Sequence, residues 1–458
     1  MIYLVTNQTE LIERSPKSGI HLSSVDDSLK FLSGLNVISC DTETTGFIEH
    51  NCEVLSLQLG NREHQYVIDT QSVDIKKYKK LLESTDKTFI WQNYLFDARF
   101  MFKNGIIQDM DCIYDTFIAE AVLTRGYPAG QISLALDALA KRYCRAYLDK
   151  TVRGNIHREG LSDRVIRYAA DDVKYLEDIK DGQYSKLQKY DLLEYLRLEN
   201  KFSTVLAYTM HCGFYLDQSA WEEKSNQDRQ DMIFKMDQLN NAIHEMYPES
   251  KYVDNQGDLF SGAKKTHINW DSPKDVAEFM EFLGFNITIE DQGKSKKSVD
   301  KKVIAKYREH PIVNMYIEYS ELAKLCSTYG HSFLKTVIPK TNRVHTVYRQ
   351  ILNTGRISSG KTNRKRNEVF PNLQNIPSDE RHRHCFVPEK GNKLIVGDYS
   401  GQEQVVLANA SREPGLIDFY KKDLGDMHKL TVHVKLDEFR ETPIYRTILS
   451  QACSLKAT

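Results

Sequence analysis

Short apolar runs separated by turn residues place the strongest constraint on how this chain folds. They read NVISCD, VLSLQLG, QYVID and KTFIWQN, and all lie within residues 36–93. Runs of this length that are rich in β-branched and aromatic side chains predict β-strands. Helical periodicity follows in SLALDALAKRYC and from Ser162 to about Tyr190. Strands followed by helices predict an α/β domain over the first part of the chain.

Length and composition predict a globular chain with several domains. The 458 residues are too many for one ordinary core. No stretch approaches the ~20 apolar residues that a membrane span needs. The eight cysteines are scattered without a CxxC pair, which argues against a zinc site and predicts free thiols in a reducing cytoplasm. The net charge of −1 does not suggest nucleic acid binding, which would need local basic patches.

The first acidic pair, Asp41 and Glu43, lies at the end of the run NVISCD. Alternate side chains of a strand share a face, so these two carboxylates converge at a strand end and could share a divalent ion. The same residues also fit a solvated turn, because the segment DTETTG is polar and ends in glycine.

Two further acidic positions lie on predicted helices. Asp97 falls in the first turn of the helix after TFIWQ, where the helix dipole alone would favour a carboxylate. Tyr168 and Asp172 are four residues apart and therefore share one helix face. Asp172 follows a stripe of apolar residues, and a carboxylate that faces a core needs a partner such as a metal. An ordinary acidic surface helix is the alternative.

Together, Asp-x-Glu after a strand, Asn-x-x-x-Asp and Tyr-x-x-x-Asp on a helix resemble the DEDDy exonuclease superfamily, which has an RNase H-like fold. The resemblance implies that Asp41, Glu43, Asp97 and Asp172 bind metal and that Tyr168 orients the attacking water. It implies two Mg²⁺ ions, with Mn²⁺ as a substitute. Asp115 is interpreted as structural support for this site.

From Leu322 onward the chain resembles family A DNA polymerases, of the bacterial DNA polymerase I type. The resemblance rests on consecutive motifs, which read LAKLCSTYGHSFL, PKTNRVHTVYRQILNTGRISS, PNLQNIP and LIVGDYSGQEQVVLANASREP. It implies a right-hand polymerase fold after the exonuclease, so the fold class is α/β and α+β multidomain. The expected domains are an exonuclease at 1–190, a helical thumb at 191–340 and a partial palm at 341–458.

Within the palm motifs, Asp398 ends the predicted strand NKLIVGDYS, and a helix is expected to begin near Gly401. The resemblance makes Asp398 one of two metal-binding aspartates of nucleotidyl transfer, whereas alone it would pass for a turn residue. It also implies contacts to nucleotide or DNA by a further set of residues, which are Arg356, Gln374, Asn375, Arg383, Glu403 and His428.

Two departures from the family pattern stand out. The segment GKTNRKRNEVF is longer than the usual turn, and its basic residues either grip phosphates or form a mobile solvated loop. The sequence also stops where the fingers helix would begin, so we expect nucleotidyl transfer only with a C-terminal part supplied elsewhere, for example by a second polypeptide. An exonuclease strand near Leu35 leaves no room for a 5′-nuclease domain, which suits a bacteriophage polymerase acting in the host cytoplasm.

The leading hypothesis is therefore a DNA polymerase portion that acts on primer–template and on single-stranded 3′ ends in DNA replication, with proofreading. One alternative is a stand-alone DEDDy exonuclease that acts on RNA or single-stranded DNA. A second, non-enzymatic alternative is a DNA-binding clamp whose carboxylates are vestigial, and it predicts binding without metal-dependent cleavage.

Overall fold

The computed structural model describes residues 1–127, 132–152, 156–254, 265–291, 294–352, 354–363 and 368–422. The chain forms one compact unit over Met1–Val387, and a second unit begins at Pro388. Among the described residues, no helix is both long enough and apolar enough to cross a membrane.

A seven-stranded mixed sheet forms the centre of the first part of the chain, and its strand order is β2-β1-β5-β4-β3-β6-β7. β4 runs antiparallel to both of its neighbours, β3 and β5, and the other pairs are parallel. All four strands predicted from the apolar runs are present. The strands are β1 (Ile2–Val5), β2 (His21–Leu22), β3 (Val37–Thr44), β4 (Val54–Gly60), β5 (Gln65–Asp69), β6 (Thr88–Trp91) and β7 (Ile113–Asp115).

Helices pack on both faces of this sheet. Alternation along β6 shows why, since Phe89 and Trp91 enter one core while Ile90 enters the core on the other side. The predicted long helix is broken at Tyr175 into α8 and α9, and α6 continues as a π-helical turn, Ala140–Cys144. The helices are α1 (Thr9–Arg14), α2 (Val25–Ser33), α3 (Lys79–Leu82), α4 (Tyr94–Lys103), α5 (Thr116–Leu123), α6 (Leu136–Leu139), α7 (Ile156–Glu159), α8 (Asp163–Lys174) and α9 (Leu176–Lys189).

The next segment is mainly helical, as expected for residues 191–340. The long helices α11 and α14 pack together over a second core that includes Phe279 and Trp270. The elements are α10 (Leu193–Cys212), β8 (Phe214–Tyr215), α11 (Gln218–Met246), β9 (Val253–Asp254), β10 (Lys265–Thr266), α12 (Pro273–Phe282), β11 (Thr288–Asp291), β12 (Lys294–Lys297), α13 (Lys301–Ile304) and α14 (Pro311–Tyr329).

Helix α10 is shared between the sheet and the segment that follows. Its Ala207 is fully buried in the same core as Phe89 and Trp91. Tyr208 packs edge-on against Phe102 of α4, with ring centroids 5.6 Å apart. The first core therefore continues past the predicted boundary at residue 190.

Short strands dominate the rest of the first unit, and two helices form the described part of the second. β8, β13 and β14 make a three-stranded sheet, and β15 pairs with β16 and β17 with β18. The elements are β13 (Val337–Ile338), β14 (Arg343–Val344), β15 (Tyr348–Arg349), β16 (Ser358–Ser359), β17 (Lys361–Asn363), β18 (Glu368–Phe370), α15 (Glu380–Arg383), α16 (Gln402–Ser411) and α17 (Pro414–Lys421).

The strand predicted at NKLIVGDYS is not formed. Residues 392–399 have no regular structure, and Ile395 and Val396 are 92% and 83% exposed. A strand requires a partner for its backbone hydrogen bonds, and none of the described residues pairs with this segment. The helix expected near Gly401 is present as α16.

Candidate active site

Three of the predicted metal-binding carboxylates lie together. Asp41 and Glu43 come from β3, Asp172 comes from α8, and one oxygen of each lies within 4.8 Å of the others. Asp41 and Glu43 share a strand face because they are two residues apart. The register of β3 against β4 shifts between Glu43 and Thr44, so regular pairing is interrupted directly after the second carboxylate. These three residues are called the carboxylate cluster below.

Helix α8 brings Asp172 to the sheet through its apolar face. Val165, Ala169 and Val173 on this helix are fully buried. The helix begins at a capped N-terminus, where the Ser162 hydroxyl accepts a 3.3 Å hydrogen bond from the Val165 amide. Asp172 is 8% exposed and therefore lies at the edge of a packed surface.

Tyr168 lies one turn before Asp172 and is 9% exposed. Its ring packs in a small apolar group with Val152, Ile156 and Val165. This packing limits where the ring can move. The predicted four-residue spacing of Tyr168 and Asp172 on one helix is thus present.

Asp97 does not belong to the carboxylate cluster. It lies in the first turn of α4, is 2% exposed, and its Oδ1 accepts a hydrogen bond from the hydroxyl of Thr42. Thr42 stands between Asp41 and Glu43 on β3. Burial raises the pKa of Asp97 to about 7, and the Thr42 hydrogen bond opposes that rise. Sequence reasoning missed Thr42, although its position between the two carboxylates was a signal.

Asp115 holds the N-terminal ends of two helices in place. Its carboxylate is fully buried and accepts hydrogen bonds from the amides of Asn93, Tyr94 and Phe117, each at 2.9 Å. Those amides belong to the starts of α4 and α5, so one side chain closes two helix N-termini. Burial raises the pKa of Asp115 to about 6 even though these amides stabilise its charged form.

An aromatic pair that sequence reasoning missed adjoins these acidic residues along the chain. Phe47 follows β3 and is 39% exposed, and its ring centroid lies 5.9 Å from that of Phe96, the neighbour of Asp97. A phenylalanine directly after the polar segment DTETTG was the available signal.

The donor set of the carboxylate cluster fits a divalent cation that prefers oxygen. All of its side chains are carboxylates, which is the chemistry that magnesium and manganese favour over zinc or copper. Close carboxylates repel one another unless a cation or proton lies between them. The residues present therefore fit a metal-dependent hydrolytic site.

The predicted DNA-contacting residues of the first unit all lie at the surface. Gln374 binds the neighbouring strand β16, since its Oε1 accepts a 2.8 Å hydrogen bond from the Ser359 amide. Arg356 precedes the same strand, and Gln374 Nε2 donates to the Ile357 carbonyl at 3.3 Å. Gln374 therefore holds the segment that carries Arg356. The exposed positions are Arg356, Gln374, Asn375 and Arg383.

The remaining predicted polymerase residues belong to the second unit. Glu403 lies in the first turn of α16, as expected. Asp398 is exposed in the irregular segment before that helix, so the prediction that it ends a strand was wrong. His428 lies outside the described residues.

Comparison with known proteins resolves the family. The model of the 3′-5′ exonuclease family matches residues 22–188, and that of DNA polymerase family A matches residues 237–441. The two matches support a family A DNA polymerase with a 3′-5′ exonuclease domain. Its exonuclease match contains all four predicted carboxylates and Tyr168.

Relatives of this chain include bacterial DNA polymerase I proteins. That of Borreliella burgdorferi is 28% identical over 93% of this chain and 45% of its own length. That of Aquifex aeolicus is 26% identical over 90% of this chain and 66% of its own length. The chain therefore spans about half to two thirds of the length of these two relatives.

A solved structure shares the fold. The POL domain of Pol1 from M. smegmatis, in complex with DNA primer-template and dNTP, matches with a TM-score of 0.68 and 20% sequence identity. The match covers 93% of this chain and 69% of that one. The arrangement of an exonuclease-like domain followed by polymerase elements is thus an established fold.

Proposed function

We propose that this chain hydrolyses DNA from its 3′ ends and takes part in template-directed DNA synthesis as a family A polymerase. The observation that carries the nuclease proposal is the carboxylate cluster, whose oxygens lie within 4.8 Å of one another. Family membership supports the proposal that the substrate is DNA, and it supports an assignment to replication with proofreading. The proposed domains remain an exonuclease at 1–190, a thumb at 191–340 and a palm from 341.

The cluster would hold two Mg²⁺ ions, with Mn²⁺ as a substitute. Asp97, whose Oδ1 accepts the hydrogen bond from Thr42, is the proposed fourth ligand. Bound divalent ions would stabilise the attacking and leaving oxygens of the phosphodiester. Asp115 keeps α4, and with it Asp97, at a fixed place relative to the sheet.

Tyr168 and Phe47 have proposed roles beside the metal ligands. The Tyr168 hydroxyl emerges one turn before Asp172, where it can hydrogen-bond the attacking water and orient it towards the phosphorus. The exposed ring of Phe47 offers a face on which a terminal base can stack, and such stacking is tolerant of sequence. Hydrolysis then releases the terminal nucleotide and leaves a shorter 3′ end.

The synthetic part of the proposal rests on Arg356, Gln374, Asn375, Arg383, Asp398, Glu403 and His428. A basic side chain such as Arg356 or Arg383 at an exposed position can neutralise phosphate, and Gln374 and Asn375 can hydrogen-bond a backbone. Asp398 is proposed as a ligand for the metal of nucleotidyl transfer, and Glu403 and His428 as contacts to the incoming nucleotide. Primer–template is therefore the proposed partner.

The test uses a 5′-labelled single-stranded DNA and Mg²⁺. The unchanged chain should shorten the strand, and Asp41→Ala should reduce the rate by about 100-fold or more, since loss of even an outer-shell partner costs metal sites 10–100-fold. Asp171→Asn is the matched control, because Asp171 neighbours Asp172 but lies outside the cluster. Cleavage at the unchanged rate by the Asp41→Ala variant would show that the proposed metal site is wrong.

The same experiment separates the competing functions. A chain that degrades RNA in preference to DNA would be a ribonuclease, and one that binds primer–template without cleavage would be a scaffold. Addition of all four deoxynucleotides to a primer–template tests the synthetic part, since primer lengthening is expected only if the polymerase residues act.

A further inference from the structure

A second group of potential metal ligands lies apart from the carboxylate cluster. Glu49 and His50 belong to the loop between β3 and β4, and His211 lies in the last turn of α10. Glu49 Oε1 is 3.5 Å from His50 Nε2 and 3.4 Å from His211 Nδ1. The ligand atoms of all three residues lie within 4.8 Å of one another.

The two distances from Glu49 match those between ligand atoms around a tetrahedral zinc ion. Zinc–nitrogen and zinc–oxygen bonds of about 2.0–2.1 Å at tetrahedral angles place neighbouring ligand atoms about 3.4 Å apart. Two imidazoles and one carboxylate are also ligand types that zinc accepts. We propose that Glu49, His50 and His211 form a Zn²⁺ site that joins the β3–β4 loop to the end of helix α10.

Neighbouring groups hold the ligands in this arrangement. Arg99 Nη1 donates a 3.1 Å hydrogen bond to Glu49 Oε2, which leaves Oε1 directed at the two histidines. A ligating carboxylate is commonly oriented by such a partner. Glu49 is 2% exposed and Arg99 is 6% exposed, so their charges are matched within a region that excludes water.

His345 packs against the site without being a ligand. Its ring centroid lies 4.3 Å from that of His50. Both of its ring nitrogens are engaged elsewhere, Nδ1 with the Met210 carbonyl at 2.9 Å and Nε2 with the Thr341 hydroxyl at 3.0 Å. The described residues therefore supply three ligands and leave a fourth position for water.

The histidine nitrogens are placed to accept an ion. His211 Nδ1 is buried and faces Glu49 Oε1 at 3.4 Å without a well-formed hydrogen bond, and a cation bound by both atoms would satisfy them. His50 Nε2 lies 2.9 Å from the His211 carbonyl oxygen, and coordination would replace this hydrogen bond. The scattered cysteines argued against zinc, but this site uses none of them.

The role proposed for this ion is to join two segments of the chain. It fixes the loop that follows Asp41 and Glu43 against the helix that leads into β8. Because the three ligands are distinct from Asp41, Glu43 and Asp172, the inference does not depend on the proposed nuclease activity.

The experiment uses Co²⁺ as the probe and the full chain with Asp41→Ala and Asp172→Ala, which removes the carboxylate cluster. Titration should show one equivalent of bound Co²⁺ with the visible absorption of a tetrahedral ion with nitrogen ligands. His211→Asn or His50→Gln in this background should weaken Co²⁺ binding by about 100-fold or more, since loss of a ligand exceeds the effect of an outer-shell change. His331→Asn, an exposed histidine outside the site, should leave binding unchanged.

Thermal stability provides a second test of the zinc site. Added Zn²⁺ should also raise the melting temperature of the background chain but not that of the His211→Asn variant. Absence of a tetrahedral Co²⁺ spectrum, or a spectrum that survives both histidine substitutions, would overturn the site. If both variants fail to fold, the NMR spectrum of the Co²⁺-loaded background chain decides the proposal. Two strongly shifted imidazole N–H resonances, one from each histidine ligand, are expected. The absence of such resonances would refute the site.

Discussion

The amide nitrogen of Tyr94 donates a 2.9 Å hydrogen bond to the carboxylate of Asp115, which also caps the next helix through Phe117. Asp115, which is not a proposed metal ligand, is thus linked through the helix backbone to Asp97, which is one. Helix α4 carries Asp97, and the first turn of this helix is held by the carboxylate of Asp115, at the end of β7. The orientation of Asp97 therefore depends on a buried residue that contacts no substrate.

Substitution of Asp115 should change how stability depends on pH. Burial raises the pKa of Asp115 from 3.8 to about 6, so between those values the folded chain holds a proton that the unfolded chain has lost. The free energy of unfolding should therefore fall as pH rises through this window, by about 3 kcal/mol from this group. Chemical unfolding of the unchanged chain and Asp115→Asn at pH 4 to 7 measures it, and a pH-independent difference would contradict the assignment.

Thr42→Val should weaken the proposed nuclease although Thr42 touches no substrate. The substitution keeps the shape of the side chain and removes the hydroxyl that orients Asp97. Loss of such an outer-shell partner is expected to reduce metal affinity or activity by about 10–100-fold. The Mg²⁺ concentration for half-maximal cleavage is the measurement. Thr44→Val, whose hydroxyl instead donates to the Gly46 carbonyl, serves as the control, and equal effects would argue against a specific role.

The buried ion pair of helix α11 gives a stability prediction. Lys224 Nζ lies 3.1 Å from Asp228 Oδ2, and Asp228 is fully buried. Lys224→Met should lower the free energy of unfolding by about 3–5 kcal/mol, because it leaves a buried carboxylate without its main partner. The double variant Lys224→Met/Asp228→Leu should recover most of that loss. A double variant less stable than the single one would contradict this expectation and would show that Asp228 has stabilising partners other than Lys224, such as Arg381, whose Nη1 lies 3.5 Å from Asp228 Oδ1.

The basic segment near β17 can be tested through salt dependence. Lys361 begins β17, whereas Arg364, Lys365 and Arg366 lie outside the described residues. If these side chains neutralise phosphates, replacing all four by alanine should weaken primer–template binding and reduce the salt slope by about 0.9 for each phosphate that is no longer neutralised. Affinity measured at several salt concentrations distinguishes this from a solvated loop, for which the slope stays unchanged.

Local sequence patterns predicted the parts of the site that depend on residues close to one another in the sequence. β3 and the spacing of Tyr168 and Asp172 follow from periodicities of two and about four residues, which are visible in any window of sequence. The same reasoning failed at NKLIVGDYS, because a strand also requires a partner that the window does not contain. It could not show that Thr42 engages Asp97, since that hydrogen bond depends on how two distant elements pack.

The group of Glu49, His50 and His211 illustrates the same limit. His50 and His211 are 161 positions apart, and no sequence pattern links the two. Each alone would pass for an ordinary histidine, and only the packing of α10 against the first core brings them together. Sites built across segments in this way are visible in a structure and hidden in a sequence.

Helix α10 also sets the smallest piece of this protein that could be moved into another. Ala207 and Leu196 of α10 each complete a different core of the sheet domain, and Asn200 donates a 3.1 Å hydrogen bond to the Ile113 carbonyl of β7. A cassette cut at residue 190 would carry open hydrophobic faces on both sides of its sheet. A transplantable sheet domain must therefore extend to Cys212, so engineers who exchange such modules should place the junction after this helix.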